Sequence, residues 1–250
     1  MATPVNLLEL GAGDFKQFLD SFDHVFSDCD GVIWAKTPLP GSSDFFKLIK
    51  KYGKTVNYVS NNSIRTRDKY DARFQAAGEP NNTLHSDSRV PEICQLQEES
   101  PHEPLDHYEK FVEYLKDDEE IAAVVFDSDF KINLAKIYKA VTYLSRPDVL
   151  FLSGTGVFTD LVTEQVKRDP VQLGKPGKVF GEFAMKRAGV TDPSRVLFIG
   201  DMIEQDVGLG KATGFKTLLV LTNISEDKMM NHEIKPDFYA PSLGKRPNED

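Results

Sequence analysis

The chain has 250 residues, 40% hydrophobic and 28% charged, enough to bury a substantial core in one large domain or in a domain with a second one inserted. Its 30 basic and 39 acidic residues give a formal net charge of −9. This excludes the basic face that nucleic acid or an anionic membrane requires, so any anionic substrate must be drawn in by local cations or a metal.

Two cysteines, Cys29 and Cys94, are read as reduced thiols, since Cys29 lies between two aspartates, an odd place for a staple. The opening MATPVNLLELGAGDF lacks the charged and continuously apolar regions of a secretory signal. No run approaches the roughly 18 apolar residues of a membrane span. A cytoplasmic protein is expected.

Strand and helix alternate along the chain. A helix is predicted over 14–22, where Phe15, Phe18, Leu19 and Phe22 recur at helical spacing, and a short strand over 25–27. GSSDFFKLIKKYG reads as a helix with a serine cap and a stop at Gly53, followed by the strand TVNYVS and a helix over 66–77 that ends at Gly78. From about 80 to 105 the chain turns polar, with prolines at 80, 91, 101 and 104, marking a boundary. Helix, strand, helix, strand and helix follow over 105–116, 121–126, 134–144, 149–152 and 157–168. The first pattern then resumes: helix 179–188, strand 195–199, helix 205–212, buried strand 215–221 and a last short strand 236–240. SLGKRPNED is read as a frayed tail. This pattern predicts an α/β fold, a doubly wound parallel sheet with a smaller inserted α/β domain. The core is assigned to 1–82 and 169–250, the insertion to 83–168.

In such sheets, ligands sit beyond the carboxyl ends of the strands. Four polar clusters fall at element ends: Asp28-Cys29-Asp30-Gly31, Ser60-Asn61-Asn62-Ser63, Lys175-Pro176 and Gly200-Asp201 with Asp206 five residues on. Taken singly, each reads as a turn, a solvated charge or a helix cap. Together they suit phosphoryl transfer. Asp28 and Asp201 offer carboxylates to a hard dication such as Mg²⁺. Asp28 can then attack phosphorus, and Asp30 can protonate the leaving oxygen and later deprotonate water. Ser60, Asn61 and Lys175 can hold the phosphoryl oxygens, while Gly31 lets the backbone approach closely.

These four motifs, DCDGVIW, VSNNS, GKP and GDMIEQD, resemble those of the haloacid dehalogenase superfamily, in its 4-nitrophenylphosphatase, phosphoglycolate phosphatase and pyridoxal phosphatase branch. The resemblance covers nearly the whole chain. It implies Asp28 as nucleophile, Asp30 as acid and base, and Mg²⁺ held by Asp28, the Asp30 carbonyl and Asp201. It also implies a phosphate pocket of Ser60, Asn61, Asn62 and Lys175, with Asp206 near the metal, and a phosphomonoester of a small metabolite as substrate. Similar proteins dimerise through the inserted cap, so a homodimer is the assembly to look for. The cap here is short for the branch, and Thr222-Asn223 stands where a threonine-glycine is usual. The alternative is a phosphate-binding or interaction protein with little catalysis.

Three further signals are read structurally. FDSDF, with Asp127 and Asp129, lacks the following glycine and is taken as a turn or cap contact. GLGKATG misses the dinucleotide fingerprint by one position and is taken as helix packing and a stop. Cys29 is taken as a packing residue.

Overall fold

The computed structural model describes residues 3–61, 67–80, 83–85, 108–127, 129, 131–154 and 158–244. The chain divides into two compact units, Met1–Ser86 with Lys175–Asp250, and Asp87–Gly174.

The first unit is built on seven parallel strands: β1 (Val5–Asn6), β2 (His24–Ser27), β3 (Thr55–Ser60), β4 (Thr83–His85), β8 (Val196–Gly200), β9 (Lys216–Val220) and β10 (Phe238–Ala240). Their spatial order is β1-β10-β9-β8-β2-β3-β4, with β2 in the interior between β8 and β3. Alternate side chains of one strand enter opposite layers. In β8, Leu197 and Ile199 join one apolar cluster while Val196 and Phe198 join another. The first cluster is closed by α1 (Ala12–Asp20), α2 (Ser42–Lys51) and α3 (Arg67–Ala77), which contribute Phe18, Phe46 and Phe74. The second is closed by α7 (Lys178–Ala188) and α8 (Gly208–Thr213), through Phe180 and Leu209. Both faces of the sheet are thus covered, as parallel sheets require.

The second unit has its own three-stranded parallel sheet, β5 (Ala123–Phe126), β6 (Leu150–Ser153) and β7 (Val171–Gln172), ordered β5-β6-β7. Phe126, Phe151 and Val162 pack with α5 (Leu134–Leu144) and α6 (Thr159–Val166) into a separate small core. The helix expected over 105–116 forms as α4 (Tyr108–Tyr114).

Among the described residues, three strands and one α-helix escape the sequence pattern: β1, β4, β7 and α9 (Glu226–Asn231). The strands are two or three residues long, too short to show a period, and exist because a neighbouring strand offers its edge. The helix predicted over 205–212 forms, its first turn, Ile203–Val207, wound wider than the α8 that continues it. The turn lets Asp206 bend back onto the backbone before it, as described below. The tail is only partly described. Leu243 packs on the first core, and a side chain at Gly244 would meet the Pro40 carbonyl at 1.8 Å, so the segment up to 244 is docked rather than frayed. Residues 245–250 lie outside the described residues, as do Cys94, Asn62 and Ser63.

The structural readings of the lesser motifs stand. Asp129 accepts the Lys131 amide at 2.7 Å and pairs with Lys136 at 2.6 Å, a local turn contact. In GLGKATG, a side chain at Gly210 would meet Thr217 Cγ2 at 2.2 Å, and Gly214 caps α8 at φ +88°. Cys29 is fully buried, and burial pushes its thiol well above the usual range, so it stays protonated and inert. No helix among the described residues is long and apolar enough to cross a membrane.

Candidate active site

Four neighbouring strands deliver polar groups at one edge of the first sheet. Asp28 follows β2, Ser60 ends β3, Asp201 follows β8, and Thr222-Asn223 follow β9. Lys175 enters from the segment before α7. The Asp28 amide donates to the Ile199 carbonyl at 2.8 Å, extending the ladder one step and fixing Asp28 beside the end of β8.

Lys175 is the hub. Its Nζ donates to Asp206 Oδ1 at 2.6 Å and lies 3.0 Å from Asp28 Oδ1. The other Asp206 oxygen accepts the amides of Asp201 at 3.0 Å and Met202 at 2.9 Å. Asp206 therefore braces both the lysine and the loop that presents Asp201, a positioning role. It also explains Gly200, where a Cβ would fall 2.2 Å from the Asp206 carboxyl carbon. Gly31 is needed for two reasons: its φ is +80°, and a Cβ there would fall 1.8 Å from Asp201 Oδ2. The Thr222 hydroxyl donates to the Gly31 carbonyl at 2.6 Å, and the Asn223 carboxamide donates to Asp201 Oδ2.

Of the expected phosphate ligands, Ser60 is buried with its hydroxyl 2.9 Å from the Tyr70 hydroxyl. Asn61 is committed to the lysine: its Oδ1 accepts the Lys175 amide at 2.8 Å and its Nδ2 donates to the Lys175 carbonyl at 3.2 Å. It clamps the Lys175 backbone against the end of β3. Asn62 lies outside the described residues.

Asp30 stands apart from this buried cluster. Its Oδ1 accepts Arg73 Nη1 at 2.9 Å and Trp34 Nε1 at 3.1 Å. Arg73, Trp34 and Asn223 are site-region residues whose roles the sequence alone did not reveal. For Arg73 a signal existed: it sits three residues after Tyr70 and one before Phe74, a cation on the buried stripe of α3.

One carboxylate oxygen from each of Asp28, Asp201 and Asp206 lies within 4.8 Å of the others. Burial pushes the Asp28 carboxyl up to about 7, against the pull of Lys175 and helped by the nearby Asp206 charge. Burial and then Asp206 push Asp201 up to about 6, while Lys175 and Asn223 hold it down. Burial works against the Lys175 charge, but Asp206 and Asp28 outweigh it and its pKa is raised. Three buried carboxylates facing one lysine thus carry an excess of negative charge. An all-oxygen donor set of this kind fits a hard dication of the Mg²⁺ class. Asp28 and Asp201 are the residues that would hold it, since Asp206 is already engaged through both oxygens.

These carboxylates gather round one lysine at the carboxyl edge of a parallel sheet, where ligands of α/β proteins bind, and comparison with known proteins adds the family. Residues 25–90 match the family model for haloacid dehalogenase-like hydrolases, and residues 172–245 match one described as HAD-hydrolase-like. The chain is 27% identical to phosphoglycolate phosphatase 2 of Arabidopsis thaliana, over 94% of this chain and 95% of the relative. It is 26% identical to a 4-nitrophenylphosphatase of Schizosaccharomyces pombe, over 93% and 95%. A p-nitrophenyl phosphatase structure from Archaeoglobus fulgidus superposes with a TM-score of 0.69 at 27% identity, covering 90% of this chain and 97% of that one. The chain belongs to the haloacid dehalogenase-like hydrolases, in the branch of the 4-nitrophenyl- and phosphoglycolate phosphatases, and is a phosphatase by class. The first alignment spans 287 residues, more than the 250 of this chain, so that relative carries segments without a counterpart here.

Proposed function

We propose that the protein hydrolyses the phosphomonoester of a small metabolite through an aspartyl-phosphate on Asp28, with Mg²⁺ as cofactor. The observation that carries this reading is the placement of two carboxylates two residues apart at the end of an interior strand, one paired with Lys175 in the buried cluster and one outside it.

When bound, Mg²⁺ supplies positive charge that quenches the aspartate cluster and the phosphoryl oxygens. The chain's own groups do the rest. An Asp28 oxygen attacks phosphorus, the bond to the ester oxygen breaks, and Asp30 gives that oxygen a proton. Water then attacks phosphorus, Asp30 takes its proton, and Asp28 is regenerated as phosphate leaves. Lys175 holds Asp28 in line and offsets the charge that grows on the phosphoryl group. Asn61 and Asp206 keep the lysine in place. The relatives are named for different esters, so the substrate proposal stops at the class. Binding with little catalysis gains no support, because a binding protein has no use for a proton donor at Asp30.

The test is hydrolysis of 4-nitrophenyl phosphate with Mg²⁺ and with EDTA, beside Asp28→Asn. Metal-dependent turnover is expected, with a loss of at least about a thousandfold in the variant and an unchanged circular dichroism spectrum. An Asp28→Asn protein with wild-type rate would refute the covalent route.

A further inference from the structure

The loop after β9 reaches both segments that carry the cation-class carboxylates. Thr222 donates to the Gly31 carbonyl at 2.6 Å, on the loop that follows Asp28, and Asn223 donates to Asp201 Oδ2. Two adjacent residues thus tie down two loops that are remote from each other in the chain. The pair is itself mounted on both sides. Before it, the Leu221 amide donates to the Ala240 carbonyl at 2.9 Å, carrying the ladder between β9 and β10 one step further. After it, Ile224 packs on the apolar cluster of Ile203, Val207 and Met229, and Ser225 caps α9. Asp206 fixes the Asp201 backbone through its amide, whereas Asn223 holds the carboxylate itself. Thr222 and Asn223 face solvent, so neither is needed to fill the core.

We propose that Thr222 and Asn223 are positioning residues that set which dication the site prefers, favouring Mg²⁺ over Ca²⁺. This rests on the dication reading above. The two ions carry the same charge and both take oxygen ligands, so charge alone does not separate them. Mg²⁺ demands nearly octahedral oxygens at about 2.0–2.1 Å, whereas Ca²⁺ accepts about six to eight in a looser shell at about 2.3–2.6 Å. Carboxylates often serve Ca²⁺ with both oxygens at once. A carboxylate with one oxygen held by a donor cannot turn freely to give both to one ion. A loop tied at the Gly31 carbonyl resists opening to admit a wider shell. Both ties therefore act against the larger ion, and the site loses its discrimination when they are cut.

The experiment is calorimetric titration of the full metal-free chain with MgCl₂ and with CaCl₂. It compares wild type, Asn223→Ala, Thr222→Val, Thr222→Ser and Asp201→Asn, each checked for folding by circular dichroism. Wild type is expected to bind Mg²⁺ more tightly than Ca²⁺. Asn223→Ala is expected to weaken Mg²⁺ about tenfold and to change Ca²⁺ by less than about twofold, so the preference falls about tenfold. Thr222→Val should move the preference the same way by about threefold, and Thr222→Ser, which keeps the hydroxyl, should restore it. Asp201→Asn should weaken both ions.

Equal changes for the two ions in a variant, or no change, overturn the selectivity role of that residue while the dication reading survives. A wild type that prefers Ca²⁺ overturns the proposal outright. If Thr222→Val does not fold, Asn223→Ala decides the matter. Affinities untouched by Asp201→Asn would place the ions elsewhere and overturn the proposal. A folded wild type that binds neither ion overturns the dication reading and the proposal with it.

Discussion

Asp28 and Asp30 lie two residues apart and inhabit different media. The Asp28 side chain is 12% exposed, beside a lysine and within reach of two further aspartates, while that of Asp30 is 39% exposed and fastened by an arginine and an indole. In the mechanism proposed above, the contrast separates a group that keeps its place and gives electrons from one that exchanges a proton with leaving group and water. Burial makes charge expensive and rigid, which suits Asp28 only while Lys175 and a dication balance it. Partial exposure leaves Asp30 open to proton exchange, at the cost of needing a clamp to keep it aimed. One strand end serves both because the tight loop from Cys29 to Trp34, closed by the Gly31 amide on the Trp34 carbonyl at 2.7 Å, turns the second carboxylate out of the first one's environment.

The strongest way to break this contrast is to remove the counter-charge. Lys175→Met leaves Asp28, Asp201 and Asp206 facing one another without a cation. We expect turnover to vanish and stability in EDTA to fall by about 3–5 kcal/mol, as when one partner of a buried pair is deleted. Urea unfolding would measure it, and a loss below about 1 kcal/mol would show the cluster to be far wetter than its burial suggests.

A second test is pH. Both Asp28, near 7, and Asp201, near 6, sit above the ordinary 3.8. The folded metal-free chain therefore holds protons that the unfolded chain has released, so its stability is greatest at low pH within the window from about 4 to 7 and falls as pH rises through it. Thermal unfolding in EDTA should show a Tm that declines from pH 5 to pH 8. Saturating Mg²⁺ at pH 8 should raise it by about 5–10 °C, the gain expected for a ligand at a hundred times its dissociation constant. A flat profile with no response to the cation would count against the dication site.

The smallest effect sharpens the edge of the cluster. Asn223→Ala removes the carboxamide that orients Asp201 and leaves Asp28 and Lys175 untouched. Mg²⁺ affinity by calorimetric titration should weaken about tenfold, the usual cost of losing a ligand's supporting hydrogen bond. An unchanged affinity would assign Asn223 to the loop after β9 alone.

Much of the first unit was legible in the chain itself. Apolar runs of strand length, helices stopped at Gly53, Gly78, Gly189 and Gly214, and carboxylates directly after strands predict a parallel sheet and a polar carboxyl edge. These signals are local: periodicity, punctuation and a glycine where φ must be positive are properties of neighbouring residues. What the sequence could not show was which side chains spend themselves on one another. Asn61, read as a phosphate ligand, is bonded at both ends of its carboxamide to the Lys175 backbone, 114 residues away. Arg73 meets Asp30 across 43 residues, and Thr222 meets Gly31 across 191. The helix expected over 205–212 forms, but the sequence did not show that its first turn is wound wide, with Asp206 reaching the Asp201 and Met202 amides. Composition and spacing chose the residue types and the edge on which they stand. Only packing decided their pairings, because a hydrogen bond between distant segments depends on where the sheet and helices bring them and leaves no period in the chain.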